Sequence, residues 1–281
     1  MSLIQVGLVD KTGKISPTLL RSVAAALNIQ VTRDLPQFWN VQATVMYLPD
    51  PKSIPAGVWP VFLVKELPPG EGGFHLDKHN QPYAEVIASP SSDEWTIDAS
   101  HETLEMLVDP YGNRLQNSTS IQIVSGKIVD GTSQFGYLVE ACDPCEADGF
   151  AYPVQGVALS DFITPHFYDP IVTPGTRYSF TGAITHPREI LKGGYISWVN
   201  HETNDMQQLL YVDPGPPTIH NLGPASSASL RIWVDGEMRK KANKLNFRFY
   251  ARKLNKSLMK RSSTKRLNLE KIAAVRAQLY S

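Results

Sequence analysis

The order of short apolar runs in the first 110 residues constrains this fold more than any other feature of the chain. Residues 3–9 form a β-favouring run closed by Asp10-Lys11-Thr12-Gly13 and read as a buried strand. Ser16 is then an N-cap with Pro17 at the first helical position, and Leu20, Val23, Ala24, Leu27 and Val31 recur at helical spacing before Pro36. Two more strands follow at 43–48 and 59–64, on either side of a Pro-rich turn. The Gly cluster at 68–73 is a flexible loop that leads into a strand, which excludes a phosphate-binding loop. Residues 74–80 continue that loop, and 82–88 form a fourth strand whose alternation of Tyr83, Glu85 and Ile87 fits an exposed sheet edge. The sequence predicts an α+β fold, a mixed sheet followed by a helix.

That helix is Ser100-His101-Glu102-Thr103-Leu104-Glu105-Met106-Leu107-Val108-Asp109-Pro110, capped by Thr96 or Asp98 and ended by Pro110 and Gly112. Side chains three or four apart share a helix face, so His101 and Glu105 point the same way, with Glu102 beside them. His101 and Glu105 supply two metal ligands in this reading, and Glu102 holds the attacking water, as the central Glu does in a His-Glu-x-x-His helix. Position 105 is Glu where that motif has its second His. A carboxylate is an acceptable zinc ligand, but it shifts the balance towards a harder cation such as calcium. The competing reading is a solvated acidic helix face with a chance histidine.

Several motifs fall in an ordered series: Phe74-His75-Leu76-Asp77, a Pro-Tyr-Ala-x-Val strand, the helix motif, Glu140-Ala141-Cys142-Asp143-Pro144, Gly156-Val157-Ala158-Leu159-Ser160-Asp161-Phe162 and Phe167-Tyr168-Asp169-Pro170. In order and spacing they resemble a family of zincin-like metallopeptidases of the His-Glu-x-x-Glu type from bacteria and their phages, over about residues 3–200. The resemblance implies a zincin-like sheet with an active-site helix, a bound zinc, and a third ligand from downstream of the helix. Glu140 is the first choice for that ligand and Asp143 the second, with Cys142 between them also able to bind zinc. The alternative role for Glu140 and Asp143 is to orient His101 through a hydrogen bond. Asp109, further along the helix, fits a turn role before Pro110. His75 and Asp77 lie where a substrate peptide would pair in a zincin, and Tyr152 or Tyr168 would serve as an oxyanion donor. His166, His186, His201 and His220 have no companion ligands and read as hydrogen-bonded structural residues.

Composition narrows the rest. With 281 residues, 42% of them hydrophobic, the chain can bury a sizeable core. The first residues show no basic leader before an apolar run, and no eighteen apolar residues occur in succession, which leads us to expect neither signal peptide nor membrane span and a cytoplasmic or virion-associated protein. Cys142 and Cys145 cannot build a disulfide framework and are expected as reduced thiols. The net charge of zero conceals an asymmetry: residues 237–281 hold 14 Lys and Arg against Glu237 and Glu270, leaving 13 basic and 25 acidic residues in 1–236. Three regions follow: a zincin-like subdomain at 1–115, a subdomain completing the site at 116–236 with irregular β-containing structure, and a basic extension at 237–281. Among the short β-like runs of the second region is 230–234. In the extension, Leu245, Phe247 and Phe249 alternate as in a strand that would pair with it, and Leu269, Ile272, Ala273 and Leu279 favour a terminal helix.

Two functions are therefore expected to compete. One is a zinc-dependent peptidase or other hydrolase, with calcium or another divalent cation as the alternative metal and a peptide or protein as substrate. The other is a structural protein of a phage particle or injection apparatus on the same frame. Its extension would dock on an acidic protein surface, including another copy of the chain in a homo-oligomer or larger assembly, in preference to nucleic acid.

Overall fold

The computed structural model describes residues 3–67, 72–212, 215–227 and 229–244. The chain divides into two units, residues 1–238 and 239–281. The expected strand and helix of the extension, at 245–249 and 269–279, and the centre of the Gly-rich loop, 68–71, lie outside the described residues. The first unit is a mixed α+β structure with two five-stranded sheets.

The first sheet has the order β2-β1-β3-β5-β4, where β1 is Ile4–Asp10, β2 Ala43–Leu48, β3 Val58–Val64, β4 Gly73–Lys78 and β5 Gln81–Ile87. The strands β1, β2, β3 and β5 run parallel, and β4 runs antiparallel to β5 at the edge. Between β1 and β2 runs α1 (Pro17–Ile29), opened by Ser16, whose Oγ accepts the Leu19 N–H at 3.2 Å. It buries Leu20, Val23, Ala24, Ala26 and Leu27, the face that the helical spacing marked.

Two expectations need correcting here. The segment 82–88 is an interior strand, paired with β3 on one side and β4 on the other. The edge is β4, in the stretch expected to be loop. The reason is the turn: His79 and Asn80 both adopt positive φ (55° and 61°), which joins Lys78 to Gln81 in a two-residue hairpin whose twist matches that of the strands. Ser125-Gly126 and Gln155-Gly156 close two further hairpins in the same way.

After β5 comes α2 (Trp95–Val108), which starts earlier than expected, so that Thr96 and Asp98 lie inside it and neither caps it. Thr96 donates to the Asp93 and Ala158 carbonyls, and Asp98 lies in the first turn, where a carboxylate suits the helix dipole. Pro110 cannot continue the helix, which ends at Val108. Far from presenting a solvated face, α2 is buried along nearly its whole length, Glu102 and Glu105 included.

The second sheet is antiparallel, in the order β12-β11-β10-β7-β6: β6 is Leu115–Val124, β7 Lys127–Leu138, β10 Tyr195–Asn200, β11 Asp205–Leu210 and β12 Thr218–Gly223. A small hairpin of β8 (Tyr152–Val154) and β9 (Val157–Leu159) packs on α1 and α2. One continuous apolar core runs from Val6 and Leu8 through Leu104 to Trp198 and Leu209, joining both sheets.

The run 230–234 is not a strand. It opens α3 (Leu230–Lys244), because the Ser229 hydroxyl accepts the Ile232 N–H at 3.3 Å, and because the helix-forming run from Glu237 to Ala242 carries the helix on past Asp235-Gly236. No helix among the described residues is long and apolar enough to cross a membrane.

Candidate metal centre

The middle of α2 faces the segment after β7, which folds into a short helical turn at Asp143–Cys145. Hydrogen bonds fasten the surrounding segments to α2: Cys142 Sγ to the His101 carbonyl, Thr96 to Ala158, the Ser160 N–H to the Ser100 hydroxyl at 3.0 Å, and the Cys142 N–H to Glu105 Oε1 at 3.0 Å. The last of these fixes the Glu105 carboxylate and turns its other oxygen towards His101.

His101 Nε2 lies 3.2 Å from Glu105 Oε2 and 3.2 Å from Asp143 Oδ1. Two ligand atoms bound to one tetrahedral zinc at about 2.0–2.1 Å stand about 3.3–3.4 Å apart, so these separations suit a shared ion. Groups of His, Glu, Asp and Cys here could hold a metal, with ligand atoms within 4.8 Å of one another, all of them buried except the half-buried Glu146: His101, Glu105 and Cys142; His75, Glu102 and Glu105; His101, Asp143 and Glu146; Glu105, Glu140 and Asp143. The donor set fits in a second respect. Oδ2 of Asp143 and Oε1 of Glu140 are buried and accept no hydrogen bond among the described residues, and Asp143 Oδ1 has only the His101 ring beside it, an arrangement with room for a further cation.

The electrostatics follow from crowding acids out of water. Burial works to raise the Glu105 carboxyl, but His101, Arg231 and His75 outweigh it and hold the group well below its usual range. Burial works to lower the His101 imidazole, and the Glu105 and Asp143 carboxylates overcome it and hold the group well above its usual value. Burial raises Asp143 to about 6, with Glu105 adding to it, and raises Glu140 and Glu146 well above the usual carboxylate range. Asp98, largely buried one turn before His101, is raised by burial to about 7. A divalent cation would replace the proton on His101 and the protons these acids hold, which is how metal binding comes to release protons.

The residues expected at the site are distributed as follows. His101, Glu105, Glu140 and Asp143 come together, but Glu140 pairs with Arg231 of α3, a residue the sequence reading overlooked, and groups with Glu105 and Asp143 rather than with His101. Arg231 Nη1 also lies 3.3 Å from Glu105 Oε2 and 3.7 Å from Asp143 Oδ2. Glu102 is held from β4. His75 Nδ1 lies 3.4 Å from Glu102 Oε2 and 3.7 Å from Glu105 Oε2, while His75 Nε2 lies 3.2 Å from the Asp109 carbonyl. His75 is thus buried against α2, whereas Asp77, two residues on, is half-buried on the strand and accepts the Asn80 N–H. Asp109 forms the turn after the helix, accepting the Arg114 N–H at 2.8 Å.

Neither Tyr expected as an oxyanion donor is placed alike. Tyr152 is engaged with Asp34 and Gln30, while Tyr168 is buried with a hydroxyl that has no hydrogen-bond partner among the described residues. Tyr195, which the sequence reading did not single out, lies close enough to Asp143 and Arg231 to feel both charges. Glu146 was also overlooked, although Glu140, Asp143 and Glu146 recur at a spacing of three. Cys142 and Cys145 are free and buried, and burial pushes both thiols well up. His166, His201 and His220 hydrogen-bond to Asp169, Asn117 and Thr218, and His186 lies 3.3 Å from Glu189. Compared with family models, with curated proteins and with solved structures, the chain matches none.

Proposed function

We propose that this protein is a zinc-dependent peptidase of the zincin type, with His101, Glu105 and Asp143 as ligands and Glu102 as general base. The observation that carries the reading is His101 Nε2, flanked at 3.2 Å by Glu105 and by Asp143. Zinc bound there would polarise a scissile carbonyl and make a water a better nucleophile. Glu102 takes the proton from that water and hands it to the leaving amine nitrogen as the peptide C–N bond breaks. His75 and Gly73 hold Glu102 for this task; a Cβ at Gly73 would stand 2.8 Å from Glu102 Cγ and 2.9 Å from Oε1, so only glycine lets the strand pass this close. The antiparallel edge strand β4 offers its outer backbone groups to an extended peptide, which pairs there as an added strand. Glu140, tied to Arg231, balances charge beside the ligands.

The experiment is metal analysis of the purified protein, followed by Glu102→Gln assayed on a quenched fluorescent peptide library. The reading expects one zinc per chain in both proteins and cleavage by the parent alone. Protein without stoichiometric metal, or a variant that cleaves as fast as the parent, ends it.

One observation favours a second reading. With Arg231 among Glu105, Glu140 and Asp143, the cluster resembles a buried ion-pair network that holds the fold together without metal or catalysis. The protein would then be an assembly component, with 237–281 as its means of binding a protein partner, a further copy or nucleic acid. The same metal analysis separates the two.

A further inference from the structure

Arg231 brings a permanent positive charge into the carboxylate cluster, since a guanidinium does not deprotonate in proteins. Its Nη1 contacts Glu140 and lies 3.3 Å from the same Glu105 Oε2 that stands 3.2 Å from His101 Nε2. A cation held by His101, Glu105 and Asp143 therefore draws on anions that Arg231 already engages. Arg231 does not saturate them: Asp143 Oδ2 stands 3.7 Å from its Nη1, beyond hydrogen-bond reach, and Glu140 Oε1 accepts no hydrogen bond among the described residues. Two cations a few ångströms apart in a buried site repel each other far more than they would in water.

Beside the ion pairs of the Arg231 side chain, the start of α3 is fastened by two backbone-directed contacts and one small apolar cluster. The Arg231 N–H donates to the Gly112 carbonyl at 2.9 Å, and the Ser229 hydroxyl stands 3.4 Å from the same oxygen. The fit is close, because a Cβ at Gly112 would meet Arg231 Cβ at 2.8 Å. On its apolar side Val234 packs with Leu138 and Met206 in a small cluster separate from the main core. A segment held in this way opens at a lower cost than the body unfolds.

We propose that Arg231 is a built-in competitor for the divalent cation, so that metal binding and docking of the start of α3 oppose each other. The inference rests on the metal reading above and goes beyond it by making α3 the element that sets metal affinity. By reciprocity, whatever weakens α3 docking tightens the metal, and the metal loosens α3.

The test uses the full chain and zinc alone, with affinity read against a chromophoric chelator. Removing the competing charge in Arg231→Met is expected to tighten zinc by about tenfold or more, while Arg231→Lys, which keeps the charge, stays within about threefold of the parent. A parent that binds zinc and an Arg231→Met protein that binds it equally or more weakly overturns the proposal and leaves the metal reading intact. Zinc binding by none of the three proteins removes the metal reading and the proposal together. Hydrogen exchange on the unmutated protein guards against a variant that misfolds: zinc is expected to speed exchange of amides 230–238, and unchanged or slower exchange there rejects the competition.

Discussion

His101 Nε2 and Asp143 Oδ1 stand 3.2 Å apart, although one lies mid-helix in α2 and the other in a turn that follows a long β-hairpin. The helix fixes one partner and the Cys142 N–H bond to Glu105 fixes the register of the other. Asp143→Asn keeps the side-chain volume but removes the charge, and is expected to lose zinc on dialysis. Glu140→Gln, whose parent residue pairs with Arg231, keeps one zinc per chain. Metal content by atomic emission decides between Asp143 and Glu140 as the ligand.

His75 holds Glu102 through one ring nitrogen and the Asp109 carbonyl through the other. An asparagine amide nitrogen mimics Nδ1 and a glutamine amide nitrogen mimics Nε2. His75→Asn should keep kcat within about tenfold of the parent, whereas His75→Gln should fall by about 10²-fold or more, with KM and zinc content little changed in both. Equal loss in the two variants would show that His75 serves only the fold.

Gly73→Ala places a methyl 2.8 Å from Glu102 Cγ. The overpacked strand should cost about 1–3 kcal/mol in stability and displace the base, so that peptide cleavage falls while zinc remains bound. Denaturant unfolding and metal analysis on the same sample measure both effects.

Without metal, stability should be greater at pH 6 than at pH 8. Burial raises Asp98 from 3.8 to about 7, so its contribution is fully present below about pH 4 and is lost as pH rises through 7. Asp143, at about 6, and His101, raised by its carboxylate neighbours, act in the same direction. Thermal unfolding of chelator-treated protein at the two pH values tests this, and Asp98→Asn should narrow the difference.

Cys142 and Cys145 are buried free thiols pushed well above their usual range. A thiol reagent such as Ellman's is expected to titrate neither in the native protein within minutes and both after unfolding in denaturant, because the thiolate is the reactive form.

The secondary structure around the site was largely legible. Ser16-Pro17 and the periodic apolar residues marked α1, and His101, Glu102 and Glu105 could be assigned to one helix from spacing alone. The strand β4 was not legible, because the pair that makes it a hairpin, His79-Asn80, lacks the glycine that usually announces such a turn. The run at 230–234 misled for the opposite reason: Leu230, Ile232 and Val234 alternate like a strand and Asp235-Gly236 follows as a turn would, and the Ser229 cap together with the helix-forming residues from Glu237 on outweighs that pattern.

The sequence by itself determined the chemistry at hand: a histidine and two carboxylates on one helix, a second acidic motif downstream, and two thiols with no framework to join. Only the tertiary structure decided which of those groups face one another. It set Asp143 against His101, Glu140 against Arg231, and His75 against Glu102. These are long-range contacts made by the packing of β4, α2, the 140–146 segment and α3, and local propensity carries no information about which distant side chains the core brings into register.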